Sequence, residues 1–321
     1  MPAIITHDAF GNDLLGRVGF LVGSTKEESD AFLLGNQGPD PLFYVALNPL
    51  HAPAVRLGAL MHRADPAELL PAFRQAAAVF SGEQGAIARA YVLGFAAHWR
   101  LDRTVHPFVY AQQYQLCDAG VEGLDASQGH EVHALIESEL DELVLWKRLG
   151  QTIATFNPAE RILHGSPEVL APISQMYAQV AADVFQMAVA PEAFAAAVGA
   201  HRLALRGLYS PRGLKREVLA SLERLVRPYS FLKAMSHRDI QLEDSPFANS
   251  QRTAWRDPFL EGESTASFFD LYERALALAQ ADAAVVAGEG FDEEAAFRLT
   301  DSINFSGRPT RAMIVSVEDH G

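Results

Sequence analysis

Residues 86–107 read AIARAYVLGFAAHWRLDRTVHP, and residues 130–150 read HEVHALIESELDELVLWKRLG. Within them His98, Asp102 and His106 follow one another at intervals of four, as do His133 and Glu137. An α-helix turns once in about 3.6 residues, so side chains four apart stack on one face. The first stretch therefore predicts a helix bearing a row of three ligand-type side chains, the second a helix bearing two. Imidazole and carboxylate are ordinary zinc ligands, and facing helices of a bundle hold such ions between them. One HxxxD or HxxxE alone says little, because helix surfaces carry many charged pairs at this spacing. Here Tyr91, Val92, Leu93, Gly94, Phe95, Ala96, Ala97 and Trp99 make the helix apolar nearly all round, which predicts burial. A buried histidine–aspartate row must be hydrogen-bonded, paired or metal-bound, since an unpaired charge there is costly.

Outward from these stretches, the chain reads as helical almost throughout. Residues 25–35 predict a short helix entered from Ser24 or Thr25 and stopped by Gly35. Residues 36–53, crowded with Gly, Pro and Asn, read as irregular and carry Asp40. A short apolar helix over 54–63 ends in Met61-His62, Pro66 opens a helix over 66–80, and Pro107 ends the helix that begins near 86. Residues 119–129 form a loop, and the second ligand-bearing helix stops at Gly150. Further helices are expected near 167–188, 191–208, 213–236, 264–288 and 292–301, with a polar loop over 238–262 and a β-branched stretch, MIVSV, in the tail. The expected fold is all-α, a single helical domain with a metal-binding core over 1–145 and a helical remainder over 146–321.

Composition narrows the setting. The net charge is −14, spread along 321 residues without a basic block, so neither duplex DNA nor an anionic bilayer finds clustered Lys and Arg. Cys117 is the sole cysteine, which excludes an intrachain disulfide. The N-terminus MPAIITHDAFGND lacks the basic and apolar regions of a signal peptide, and no run reaches the ~20 apolar residues of a membrane span. The expectation is a soluble cytoplasmic protein without a transmembrane segment.

Three further residues join the two helical rows: His7 in ITHDAFG, Asp40 in GPDP and His62 in MHRAD. In this order the residues resemble the zinc-dependent phospholipase C family, whose fold includes the single-strand-specific zinc nucleases. That resemblance, spanning roughly residues 1–145, implies a phospholipase C/nuclease-like bundle with two or three zinc ions between its helices. It implies one zinc on Asp40, His62, His98 and Asp102, and a more open one on His106, His133 and Glu137. Asp102 would bridge to a third metal bound by His7, completed by the amine of Pro2 if Met1 is removed. His130 and His51 are the rivals for ligand roles. Trp255 and the segment TASFFDL (265–271) resemble recurring features of intracellular members, although ordinary packing explains them as well.

A zinc cluster suits phosphodiester hydrolysis, because bound cations acidify water and neutralise phosphoryl oxygens. Asp40 is the candidate for orienting or deprotonating the attacking water while it binds metal. The expected substrate is a phosphodiester or phospholipid-derived small molecule. A single-strand nuclease ranks lower, for want of a basic strip interleaved with aromatics. The rival from another class is a non-catalytic, metal-stabilised helical binding protein.

Overall fold

The computed structural model describes residues 3–45, 52–120, 125–209 and 237–311. Its architecture is an all-α, multi-helix bundle arranged around one long helix. In chain order the helices are α1 (Ile4–Val22), α2 (Lys26–Gly35), α3 (Ala52–Met61), α4 (Pro66–Ala77), α5 (Gly82–Cys117), α6 (Gly129–Lys147), α7 (Pro158–Arg161), α8 (Pro167–Phe185), α9 (Ala193–Leu208), α10 (Phe268–Ala287) and α11 (Glu293–Thr300). A 3₁₀ turn over Asp40–Val45 carries Asp40. The described β structure is an antiparallel ribbon of two two-residue strands, with Trp255 opposite Ser264 and Arg256 opposite Glu263, and an isolated bridge between Ile303 and Pro309. No helix of the described residues is long and apolar enough to cross a membrane.

The 36-residue α5 is the axis of the bundle, about 54 Å long at ~1.5 Å per residue. It does not end at Pro107, as the sequence suggests, but runs on to Cys117. An interior proline costs about 3 kcal/mol through its lost N–H and its clash with the preceding turn. Val105, Phe108 and Val109 flank it and are all buried, and each such side chain repays roughly 1.5–3 kcal/mol. Tertiary burial therefore outweighs the local breaker.

Two glycines let α2 cross α5 in backbone contact. A Cβ on Gly94 would lie 2.0 Å from the Phe32 carbonyl oxygen, and one on Gly35 would lie 2.4 Å from that of Tyr91. This crossing brings the C-terminal end of α2, and with it Asn36, onto His98.

Helix α1, which the sequence did not announce, starts without a capping side chain of its own. The fully buried Asp141 of α6 does that work, accepting from Ile5 N at 3.1 Å, Thr6 N at 2.7 Å and Thr6 Oγ1 at 2.6 Å. A carboxylate at a helix N-terminus satisfies free N–H groups and complements the helix dipole. It also fixes His7, one residue further on, relative to the helix that carries His133 and Glu137.

Other boundaries follow the local signals. Thr25 and Glu28 form a capping box before α2, Asp65 caps α4 with Pro66 at its first position, and Ser267 with Asp270 caps α10. The expected helix at 213–236, the MIVSV stretch, His51 and the Pro2 amine lie outside the described residues.

Candidate metal centre

Five elements deliver the ligand-type side chains. His7 comes from α1, Asp40 from the 3₁₀ turn, His62 from the residue after α3, the row His98, Asp102 and His106 from α5, and His133 and Glu137 from α6. Candidate ligand atoms fall into three groups, each within 4.8 Å: His7, Asp40 and His98; His62, His98 and Asp102, sharing His98 with the first; and His106, His133 and Glu137. All eight residues singled out in the sequence thus meet in one region. Among the rivals, His130 is exposed at the start of α6.

The cluster is buried. His98 is fully enclosed, and His7, Asp40, Asp102, His106 and Glu137 are nearly so, while His62 and His133 keep partial exposure. Gly38 permits this packing, with a positive φ of 51° and space for a Cβ only 2.3 Å from the His98 ring. No Lys or Arg among the described residues pairs with Asp40, Asp102 or Glu137; their charged neighbours are histidines.

Four imidazoles share one arrangement. The Nδ1–H of His98 donates to Asn36 O at 3.0 Å, that of His62 to Gly58 O at 2.8 Å, and that of His106 to Phe305 O at 2.7 Å. His133 Nδ1 is likewise 2.9 Å from Gln113 Oε1. An acceptor on Nδ1 fixes the proton there and leaves Nε2 with a lone pair. Each Nε2 then faces a carboxylate: His98 to Asp102 at 3.4 Å, His62 to Asp40 at 2.9 Å, His106 to Glu137 at 3.2 Å and His133 to Glu137 at 3.3 Å.

Two facing acceptors repel unless a proton or a metal cation lies between them. For His98 a second proton is disfavoured, because burial pulls its pKa down to about 4. His98 Nε2, Asp102 Oδ2 and Glu137 Oε2 are buried and make no hydrogen bond. A cavity of about 20 Å³ lined by His7, Asp102, His106 and Glu137 among others has room for one ion or water. These observations fit a bound cation, to which these side chains offer nitrogen and oxygen ligands.

Electrostatics point the same way. Burial opposes charge on Asp102, but His106 and His98 outweigh it and hold its carboxyl below the usual range. For Asp40 burial is likewise overcome, by the His62 bond and by the nearness of His98; for Glu137, by His133 and His106. Burial also opposes charge on His106 and His7, yet Asp102 raises both, with Glu137 helping at His106. Three ionised carboxylates in a buried, lysine- and arginine-free site carry a negative charge that divalent cations neutralise.

Sequence reasoning did not find the groups that orient the ligands. Asn36, Gly58 and Phe305 act through backbone carbonyls, which leave no trace in residue identity. Phe305 also packs its ring against His62 and His98, with centroids 5.3 and 5.6 Å apart, so a C-terminal segment closes over the cluster. Phe268, in TASFFDL, lines the small cavity, and Trp255 packs on Phe108 while donating to Ala266 O at 3.0 Å. Compared with family models, with curated proteins and with solved structures, the chain matches none.

Proposed function

We propose that this chain is a zinc-dependent phosphodiester hydrolase of phospholipase C type, acting on a small phosphodiester or a phospholipid-derived compound. The observation that carries this reading is the set of four imidazoles, each turned by an acceptor on Nδ1, whose Nε2 atoms converge on three buried carboxylates. Zinc held by these residues would acidify water and neutralise phosphoryl oxygens. His106, His133 and Glu137 form a three-residue ligand set, the number that leaves a coordination position open in catalytic sites. His133 lies at the solvent edge, which makes its side the approach for substrate. Asp40, held by His62, orients the attacking water or accepts its proton. The resemblance in residue order supports the same class.

The test pairs elemental analysis with turnover. Purified protein is expected to contain two or three zinc ions and to hydrolyse bis(4-nitrophenyl) phosphate. Activity should vanish with chelator and return with zinc, and a panel of water-soluble head-group diesters and phospholipid vesicles then separates the substrate classes. Protein lacking stoichiometric metal rejects the proposal.

A second reading is favoured by the burial itself. The cavity at the ligands is only about 20 Å³, as a metal-stabilised binding protein without catalysis would have it. Full zinc content with no turnover of any diester would select that reading.

A further inference from the structure

Beyond His133 the cluster meets an aromatic wall with one arginine on it. The Tyr110 ring lies 4.8 Å from the His133 ring, and Phe259 packs edge-on to Tyr110 at 5.2 Å. Arg308 sits over both, its guanidinium carbon 4.3 Å from the Phe259 ring centre and 5.8 Å from that of Tyr110. It also donates to Tyr114 Oη at 3.1 Å. One aromatic ring thus separates an exposed guanidinium from a ligand-type histidine.

The backbone holds Arg308 in this place. Its N–H donates to Asn304 Oδ1 at 3.0 Å, and Asn304 N donates back to Arg308 O at 2.9 Å. Gly307, at φ 83°, lets this turn lie on Pro107, where a Cβ would come within 2.4 Å of Cγ. The same turn contains Phe305, whose carbonyl orients His106.

Arg308 is also unmatched in charge. The neighbouring Arg103 and Arg311 pair with Asp301 at 3.3 Å and Asp65 at 2.6 Å. Arg308 pairs with no carboxylate among the described residues, in a chain with 40 acidic and 26 basic residues. Asp257, on the turn of Phe259, makes no ion pair with Arg308, and its Oδ1 accepts from Phe259 N and Leu260 N at 2.8 and 3.1 Å. A guanidinium stacked on rings loses little freedom on binding, and its fork matches planar or tetrahedral oxyanions.

We propose that Arg308, Tyr110 and Phe259 form an anion subsite beside His133, so that the natural ligand carries a second oxyanion group besides its phosphoryl group. This rests on the hydrolase reading for the phosphoryl end and adds the substrate's other end. Para-substituted phenylphosphonates carry two anionic groups on opposite ends of one ring, which supplies the probes.

Calorimetry on zinc-loaded protein compares phenylphosphonate, 4-carboxyphenylphosphonate and 1,4-phenylenediphosphonate. Wild type is expected to bind one or both of the doubly anionic probes about tenfold more tightly than phenylphosphonate, as a charge-assisted bidentate contact warrants. Which one it prefers separates a carboxylate from a phosphate partner. In Arg308→Gln the preference should fall towards one, and in Arg308→Lys it should survive in part. Equal affinities in wild type, or a preference that Arg308→Gln retains, overturn the subsite while leaving the hydrolase reading intact. Zinc-free protein that binds none of the probes overturns both.

Discussion

Nε2 of His98 and Oδ2 of Asp102 face each other at 3.4 Å, buried and without a hydrogen bond. They sit one helical turn apart on α5, and the Asn36 carbonyl holds the His98 proton on the far side of the ring. The pair is arranged as two electron donors, a geometry that a cation relieves. Metal is therefore expected to contribute to stability, not only to chemistry.

Asp102→Asn removes that negative charge while keeping the side chain's size. Its zinc content should drop, and the rise in Tm that wild type shows on adding zinc should be lost. A cation at about 1,000 times its Kd stabilises by roughly 4 kcal/mol, so the difference is readily measured by thermal unfolding with and without chelator. An unchanged zinc-dependent shift in the variant excludes Asp102 as a ligand.

Gln113→Leu leaves every ligand in place but frees His133 Nδ1 from its acceptor at 2.9 Å. Loss of such an orienting partner typically lowers metal affinity about 10–100-fold. Zinc titration against a chromogenic chelator should show a weakened component assigned to the His106, His133 and Glu137 group. Stability in chelator should change little, since Gln113 is only partly buried.

Gly94→Ala strikes the helix crossing. The added methyl would stand 2.0 Å from Phe32 O, so α2 must move off α5 and carry Asn36 away from His98. Overpacking of this kind costs about 1–3 kcal/mol. Urea denaturation should report that loss, and metal affinity should fall with it. A variant with wild-type stability and zinc content would show that the crossing is not needed to build the site.

His201, on α9, is buried with neither ring nitrogen hydrogen-bonded among the described residues, and it stacks on Tyr44 with centroids 3.5 Å apart. Burial lowers its pKa to about 3, below the ordinary 6.5. A depressed folded-state pKa means that its contribution to stability is fully present above about pH 6.5 and is lost as pH falls towards 3. His201→Phe keeps the stacking ring and removes the titration and the two unmet polar atoms. It is expected to gain about 1 kcal/mol at pH 7.5 and to lose less stability than wild type between pH 7.5 and pH 5. Denaturant unfolding in chelator at the two pH values measures both effects, and a wild-type acid slope in the variant refutes the assignment.

Much of this was written in the order of residues. Period-four spacing placed His98, Asp102 and His106 on one face, because helical geometry is local and the apolar surroundings of that face announced its burial. The all-α architecture was legible for the same reason, in Ala- and Leu-rich segments with start signals such as Thr25 and Pro66. Pro107 misled, since a proline's cost is local and the burial of Val105, Phe108 and Val109 that overrides it is not. Helix α1 was passed over because its cap, Asp141, lies 136 residues from Ile5. What only the tertiary structure decided is which atoms meet: the carbonyls of Asn36, Gly58 and Phe305 that turn the imidazoles, the glycine crossing that lets α2 reach His98, and the turn that sets Arg308 beside Tyr110. Sequence specifies side-chain chemistry and short-range periodicity; the direction of a lone pair depends on backbone groups brought from elsewhere in the chain, and only packing fixes those.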